Sequence, residues 1–384
     1  MKLLIIVNVD WFLYSHRLPI IIEARRKGFE VHIATKITNI SIKEKLLNSG
    51  FLIHDVPFDR SGKNILNLIE VAFSISRLLV IIKPDILHLV TMQPIIFGGI
   101  AAKIFRIKRV VYSISGLGHV FLFKTFIASI RRFFVINFYR LALSNKPRIV
   151  VFQNSSDQIF LKKLCRLSDR EMILIPGSGV DINKYKFTEL PKTEPIILMA
   201  SRLLISKGVR EFVQAAQLLK GRGMKVNFQL IGEPDISNPS AISKSELDDW
   251  VSNGYIDYLG YRDDVHELIP KSHIVVLPSY YPEGLPKILC EAAACGRPII
   301  TTNEPGCKDA VKEGITGLII KSRNAKELAN AIEKLIKNPK LLNSMSLEGR
   351  KNAEKLFDIK KVVDKHINTY QVLLDQKKYL VTIL

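Results

Sequence analysis

The chain has 384 residues, 47% of them apolar, and a formal net charge of +20. That length exceeds one ordinary core and suits two domains of similar size, and the apolar content excludes a disordered chain. The positive excess is silent on fold, but it draws anions: nucleic acid, anionic lipid head groups or phosphorylated substrates.

In chain order, short apolar runs alternate with longer helical patterns. The first segment, "MKLLIIVNVDWF", is a brief apolar run followed by polar Asn8 and Asp10, which reads as a buried strand and not as a signal peptide. Further strands are expected at 3–7, 31–35, 86–90, 109–114 and 148–153. Their hydrophobicity on both faces is what a parallel sheet covered by helices requires. Between them lie amphipathic stretches such as 17–28, which closes at Gly28. The best candidate for a membrane span, 110–130, is interrupted by Ser113, Ser115, Gly116, Gly118, His119 and Lys124. These suit a strand, a glycine loop and a helix start, so a span is not expected there. The stretch 121–148 carries Lys124, Arg131, Arg132, Arg140, Lys146 and Arg148 with no acid among aromatic and aliphatic residues. It is expected to lie on an anionic membrane surface, against the plainer reading of a core helix with a solvated basic edge.

The alternation breaks in a Gly-, Pro- and polar-rich segment ending at 195 and restarts with strands at 196–201, 226–232, 256–260, 273–279, 297–302 and 317–320. The expected organisation is a first α/β domain over 1–180, a linker over 181–195, a second α/β domain over 196–360, and a final helix over 361–384 that crosses back to the first domain. Two doubly wound sheets in series would face each other across a cleft at the carboxyl ends of their strands. Cys165, Cys290, Cys295 and Cys307 show no CxxC spacing and read as reduced thiols, with no zinc site expected.

The chemistry-bearing residues cluster after the strands of the second half. Arg202 and Lys207 follow the strand ending near 201 and together suit a diphosphate, one as a planar fork and one as a compact charge. Gly232 and Glu233 follow the next strand, where a backbone without a side chain can approach a ligand. Tyr261 and Arg262 follow the third and offer a ledge for a nucleobase. In "SYYPEGLPKILCEAAACGRPIITT" (279–302), Gly284-Leu285-Pro286 opens a helix whose amides favour an anion. Glu283 stands before that helix and Glu291 within it. Either could be a solvated surface acid, but Glu291 lies in an apolar helix and needs a partner. Each carboxylate can accept two vicinal hydroxyls of a sugar. In the first half, His16 and His119 are candidates, whereas His88 inside "ILHLV" reads as a core histidine.

As a set, "SRLLISKG", "PEGLPKILCEAAACGRPIITT" and "GCKDAVKEGITGLII" resemble the donor domain of family 4 retaining glycosyltransferases of the two-domain GT-B type. The resemblance runs from the first strand and His16 through "GSGVDINKY" to the C-terminal helices. It implies that Arg202 and Lys207 bind the donor diphosphate, Glu283 the transferred sugar and Glu291 the ribose, with the Gly284-Leu285-Pro286 amides at sugar and phosphate. Ser115-Gly116 stands where many members carry a histidine, with His119 soon after as the catalytic candidate of the first half; Ser115, Gly116 and His16 would serve the acceptor or a phosphate. The pattern looks most like enzymes that extend undecaprenyl-diphosphate-linked glycans, N-acetylgalactosaminyltransferases among them. A UDP-sugar donor, that lipid-linked acceptor and a peripheral place on the cytoplasmic face of the membrane follow from the resemblance.

No D-x-D triplet occurs, so neither a metal nor another cofactor is expected beyond the UDP-sugar itself. Two rivals remain at this stage: a UDP-sugar epimerase on the same scaffold, and a non-enzymatic basic protein binding membrane or nucleic acid. The second lacks a recognisable nucleic-acid module, and no nucleic-acid partner is expected.

Overall fold

The computed structural model describes residues 1–59, 64–117, 126–235 and 238–375; the side chains of 126–131 are not part of that description. The chain forms two units, Met1–Ser178 with Lys360–Leu384, and Gly179–Ile359.

The first unit holds seven parallel strands: β1 (Lys2–Val7), β2 (Glu30–Thr35), β3 (Leu52–Asp55), β4 (Ile86–Val90), β5 (Val110–Ile114), β6 (Arg148–Phe152) and β7 (Met172–Leu174). They lie in the order β3-β2-β1-β4-β5-β6-β7. Its helices are α1 (Asp10–His16), α2 (Leu18–Arg26), α3 (Ile40–Asn48), α4 (Ile65–Ile82), α5 (Met92–Ile104), α6 (Phe126–Ala142) and α7 (Ser155–Cys165). Asn39, Asn64 and Asn154 each accept a backbone N–H at the start of α3, α4 and α7, satisfying a donor that the helix itself leaves open. Helices α4 to α7 pack side by side. They share one core with alternate residues of the strands, among them Leu4, Ile6, Leu87, Leu89, Tyr112, Val150 and Phe152. Strands β3 and β7, which the hydrophobic pattern does not announce, are short edge strands with half-exposed residues.

The second unit has six parallel strands: β8 (Ile196–Ala200), β9 (Asn227–Ile231), β10 (Asp257–Tyr258), β11 (Ile274–Leu277), β12 (Ile299–Thr302) and β13 (Gly317–Ile320), in the order β10-β9-β8-β11-β12-β13. Its helices are α8 (Val209–Gly221), α9 (Lys244–Ser252), α10 (Val265–Leu268), α11 (Lys287–Ala294), α12 (Ala325–Ile336) and α13 (Pro339–Asn352). A separate core joins Ile197, Leu198, Phe212, Val275, Ile300, Leu328 and Phe357. In both sheets the strand order reverses once, between β1 and β4 and between β8 and β11. Such a switch point opens a crevice outside the carboxyl ends of the strands, where α/β proteins bind ligands.

The segment 181–195, expected as a linker, is held within the second unit. The Arg350 guanidinium donates to the carbonyls of Tyr185 (3.0 Å) and Ala294 (2.8 Å), and the buried Arg297 donates to Thr188 O at 2.9 Å. The last helix, α14 (Ile359–Leu374), packs on the first unit through Val362, Val363, His366, Ile367, Tyr370 and Leu373. Tyr370 OH meets His88 Nδ1 at 2.7 Å, and Arg109 Nε donates to Leu373 O at 2.9 Å. All four cysteines are free thiols.

Candidate active site

The loops after β8 and β11 lie together at the switch point of the second sheet. The Tyr280 amide donates to Ser206 O at 3.0 Å, and Ser279 Oγ donates to the same carbonyl at 3.2 Å. This stitching brings together two residues 76 positions apart: Lys207 Nζ forms an ion pair with Glu283 Oε1. The two side chains are only 13% and 14% exposed. Ser279 Oγ also donates to Glu283 Oε1 at 3.2 Å, and Lys207 Nζ sits 5.7 Å from the centre of the Tyr281 ring. Behind the pair, a Cβ on Gly306 would come within 2.5 Å of the Glu283 and Gly284 carbonyl oxygens, so only glycine allows that approach. Burial, and then the Glu283 carboxylate, push the neighbouring Cys307 thiol up to about 12, which keeps it protonated and unreactive.

Pro286 caps α11 and Lys287 is its first residue, so Gly284, Leu285 and Pro286 form the approach to the helix. Glu291, one turn further in, is buried. Lys287 Nζ lies 3.6 Å from its Oε1, and the buried Tyr185 phenol lies close to it. Burial first, and the Glu291 charge second, raise the Tyr185 hydroxyl far above its ordinary range, so it stays a donor.

Arg202 Nη1 is 3.1 Å from Asp235 Oδ2 and is partly exposed. Gly232 has φ +139, and a Cβ there would overlap the Ser201 carbonyl oxygen. The Glu233 carbonyl accepts from the Leu203 amide at 3.0 Å. Tyr261 is exposed; Arg262 chelates the Asp264 carboxylate, and that hydrogen bonding lowers the Asp264 pKa.

The structure thus pairs Lys207 with Glu283 directly, and gives Arg202, Glu291 and Arg262 the partners Asp235, Lys287 with Tyr185, and Asp264. Asp235 and Tyr185 were not singled out from sequence. Tyr185 closes the "GVDINKY" stretch, so the signal was present, but nothing local says that its hydroxyl meets Glu291.

In the first unit, His16 stacks on Phe12 (ring centres 4.2 Å apart) and its Nδ1 meets Ser15 Oγ at 2.6 Å. Its neighbour Arg17 reaches Ser115 instead, with Nη2 donating to Ser115 Oγ at 3.1 Å. Arg17 is 1% exposed, its Nε has no hydrogen-bond partner, and burial lowers its pKa to about 10. Gly116 follows with φ +99. His88 is core, bonded to Tyr370 OH and Ser113 Oγ, and burial drives its pKa down to about 3. His119 lies outside the described residues. Among the described residues no cluster of three or more His, Cys, Asp or Glu side chains is arranged to hold a metal.

Fold and site together define a nucleotide-sugar enzyme class, and the comparisons agree. Residues 2–153 match the family described as "Glycosyl transferase 4-like" and residues 181–352 match "Glycosyl transferases group 1". The chain belongs to the glycosyltransferases of the two-domain GT-B type. It is 29% identical over 371 residues to the N,N'-diacetylbacillosaminyl-diphospho-undecaprenol alpha-1,3-N-acetylgalactosaminyltransferase of Campylobacter jejuni, covering 93% of this chain and 95% of that one. It is 26% identical to the UDP-Gal:alpha-D-GlcNAc-diphosphoundecaprenol alpha-1,3-galactosyltransferase of Escherichia coli, over 75% of each chain. In fold it superposes on Anabaena HepE, solved in complex with UDP, with a TM-score of 0.77 at 18% identity, covering 97% of this chain and 100% of that one. These matches support glycosyl transfer over the epimerase and over the non-enzymatic binding protein.

Proposed function

We propose that this glycosyltransferase moves a hexose or N-acetylhexosamine from a UDP-sugar to a lipid-diphosphate-linked glycan with retention of configuration, in bacterial surface polysaccharide or glycoprotein glycan assembly. The observation that carries the reading is the Lys207–Glu283 pair at the β8/β11 switch point. Without donor, the two charges neutralise each other. A bound UDP-sugar would give Lys207 a diphosphate and Glu283 the hydroxyls of the transferred sugar. Arg202 would add a second cation at the diphosphate, and the amides from Gly284 to the start of α11 would face sugar and phosphate. Glu291, paired with Lys287 and beside Tyr185, would take the ribose hydroxyls, with Gly232, Glu233, Tyr261 and Arg262 around the nucleotide.

In the reaction the bond from the sugar's anomeric carbon to the diphosphate oxygen breaks and a bond to the acceptor oxygen forms on the same face. The acceptor's proton passes to the departing phosphate. Lys207 and Arg202 stabilise the charge that grows on the leaving group, which is the task a metal performs elsewhere, so this reading needs no metal and no further cofactor. The glutamates orient the donor and form no covalent intermediate, unlike the carboxyl pair of retaining glycosidases. Ser115, Gly116 and His16 are the proposed acceptor-side or phosphate groups, and His119 is the proposed catalytic histidine of the first unit. A lipid-linked acceptor places the enzyme peripherally on the cytoplasmic face of an anionic membrane.

The test is incubation with a panel of UDP-sugars and a polyprenyl-diphosphate-linked glycan, with mass spectrometry of the lipid product. Lys207→Ala, Glu283→Ala and Arg202→Ala are each expected to lower kcat/KM by on the order of 100-fold while retaining the native circular dichroism. Full activity in Lys207→Ala, or conversion of a UDP-sugar to its epimer without acceptor, would overturn the reading.

A further inference from the structure

The outer face of α4 is mostly apolar although none of the described residues covers it. Val71, Ile75, Leu79 and Ile82 pack into the core of the first unit, while Ile65, Leu66, Ile69, Phe73, Val80 and Ile81 are exposed, Ile69 at 61% and Phe73 at 69%. Its only charged residues, Glu70 and Arg77, stand singly on this exposed side between the apolar ones. By length and composition α4 is the one helix among the described residues that could cross a bilayer. It cannot do so in this fold, because one side is core and its two ends feed β3 and β4 of the same sheet. A helix with one face in protein and the other apolar lies along an interface.

The charge of the chain selects that interface. The first unit holds 31 lysines and arginines against 13 acids, the second 25 against 23, so almost the whole +20 belongs to the first. At the C-terminal end of α4 the surface opens into a cavity of about 520 Å³ whose charged lining is Lys83, Arg106, Lys108, Arg109 and a single acid, Asp85, with Phe105 as an apolar wall. Asp85 is engaged by the Lys2 amide at 2.7 Å and Arg109 by Leu373 O, whereas Lys83, Arg106 and Lys108 have no acidic partner among the described residues. The cavity lies at the amino ends of β4 and β5, the opposite end of the sheet from its switch point. Exposed Val80 and Phe105 are part of its lining, and Ile81 and Ile104, their neighbours in the chain, are exposed as well.

We propose that this cavity binds the head group of an anionic phospholipid while the outer row of α4 enters the acyl boundary, so that α4 lies in the plane of the bilayer. The proposal deepens the reading of a lipid-linked acceptor, but its test is independent of transfer. The occupant is a bilayer lipid: a free phosphate would satisfy the cations and leave the apolar row in water, and a basic surface of this kind repels a second copy of itself.

Flotation of the full chain with vesicles of phosphatidylglycerol and phosphatidylcholine, against phosphatidylcholine alone, tests it, with the UDP-induced thermal shift as a control for the second unit. The wild type is expected to float with the anionic vesicles. The triple variant Lys83→Ala/Arg106→Ala/Lys108→Ala should lose on the order of 100-fold in partitioning to anionic vesicles, and Phe73→Glu about tenfold, each with an unchanged UDP shift. Equal flotation of the triple variant and the wild type would overturn the head-group site, as would release of the wild type by inorganic phosphate at constant ionic strength. Dispersal of a dimer by Phe73→Glu, with no vesicle binding by the wild type, would assign the face to a second copy and overturn the proposal. Failure of the transfer assay would leave these outcomes untouched.

Discussion

Glu291 is a carboxylate inside an apolar helix, and two polar side chains stand beside it. Lys287 supplies an opposite charge one turn away, and Tyr185 brings close a hydroxyl that burial prevents from ionising. If the carboxylate takes the ribose, Tyr185 is a positioning residue: it aims Glu291 without touching the donor itself. Tyr185→Phe keeps the ring packing, including its edge contact with His266 at 6.2 Å, and removes only the donor. A hydrogen bond from this hydroxyl to the donor-bound carboxylate would contribute about 1.5–3 kcal/mol, so the KM for the UDP-sugar should rise about tenfold with kcat nearly unchanged. A structural role alone would lower Tm and leave that ratio unmoved. The positions of Lys207, Glu283 and Glu291 were readable because a charge after a strand, or in an apolar helix, stands out from its surroundings. Asp235 and Arg17 were not, because each is defined by a partner distant in the chain: Arg202 for the first, Ser115 for the second.

At the level of elements, α14 is tied to the first sheet by a buried polar chain from Ser113 through His88 to Tyr370. His88 and His366 are both held neutral, by burial first and then by the nearby Arg17 charge. The folded pKa of His88, about 3, lies below the unfolded value of 6.5. As pH falls through 6.5 the unfolded chain takes up a proton that the native ring refuses, so stability is fully present above 6.5 and declines toward pH 3. Each such histidine costs about 1.4 kcal/mol per pH unit in that window. Chemical denaturation between pH 7 and 5 should show this loss, and His88→Asn, which keeps donor and acceptor but cannot titrate, should flatten the slope by about one proton. An unchanged slope would remove His88 from the account. Helix α4 carries a second lesson. Apolar residues stand on both its inner and its outer side, so periodicity does not reveal which side meets the core.

Across the whole molecule, each unit has its own core and its own polar feature: a basic surface in the first, the Lys207–Glu283 pair in the second. Calorimetry should resolve two transitions, and saturating UDP should raise only the one that belongs to the second unit. At 100 times its Kd, a ligand adds about 2.7 kcal/mol to the unit that binds it. A UDP-dependent rise of both transitions together would show that the units unfold as one. By itself the sequence determined the two parallel sheets and the loops that carry the donor motif, because buried strands and strand-end charges are written in local composition. Only the tertiary structure decided that α14 closes the first unit, that Lys207 meets Glu283, that Arg17 and not His16 reaches Ser115, and that α4 shows an apolar row to the outside. The physical reason is strand order: a sheet that reverses between β1 and β4, and again between β8 and β11, places side by side residues that the chain keeps far apart.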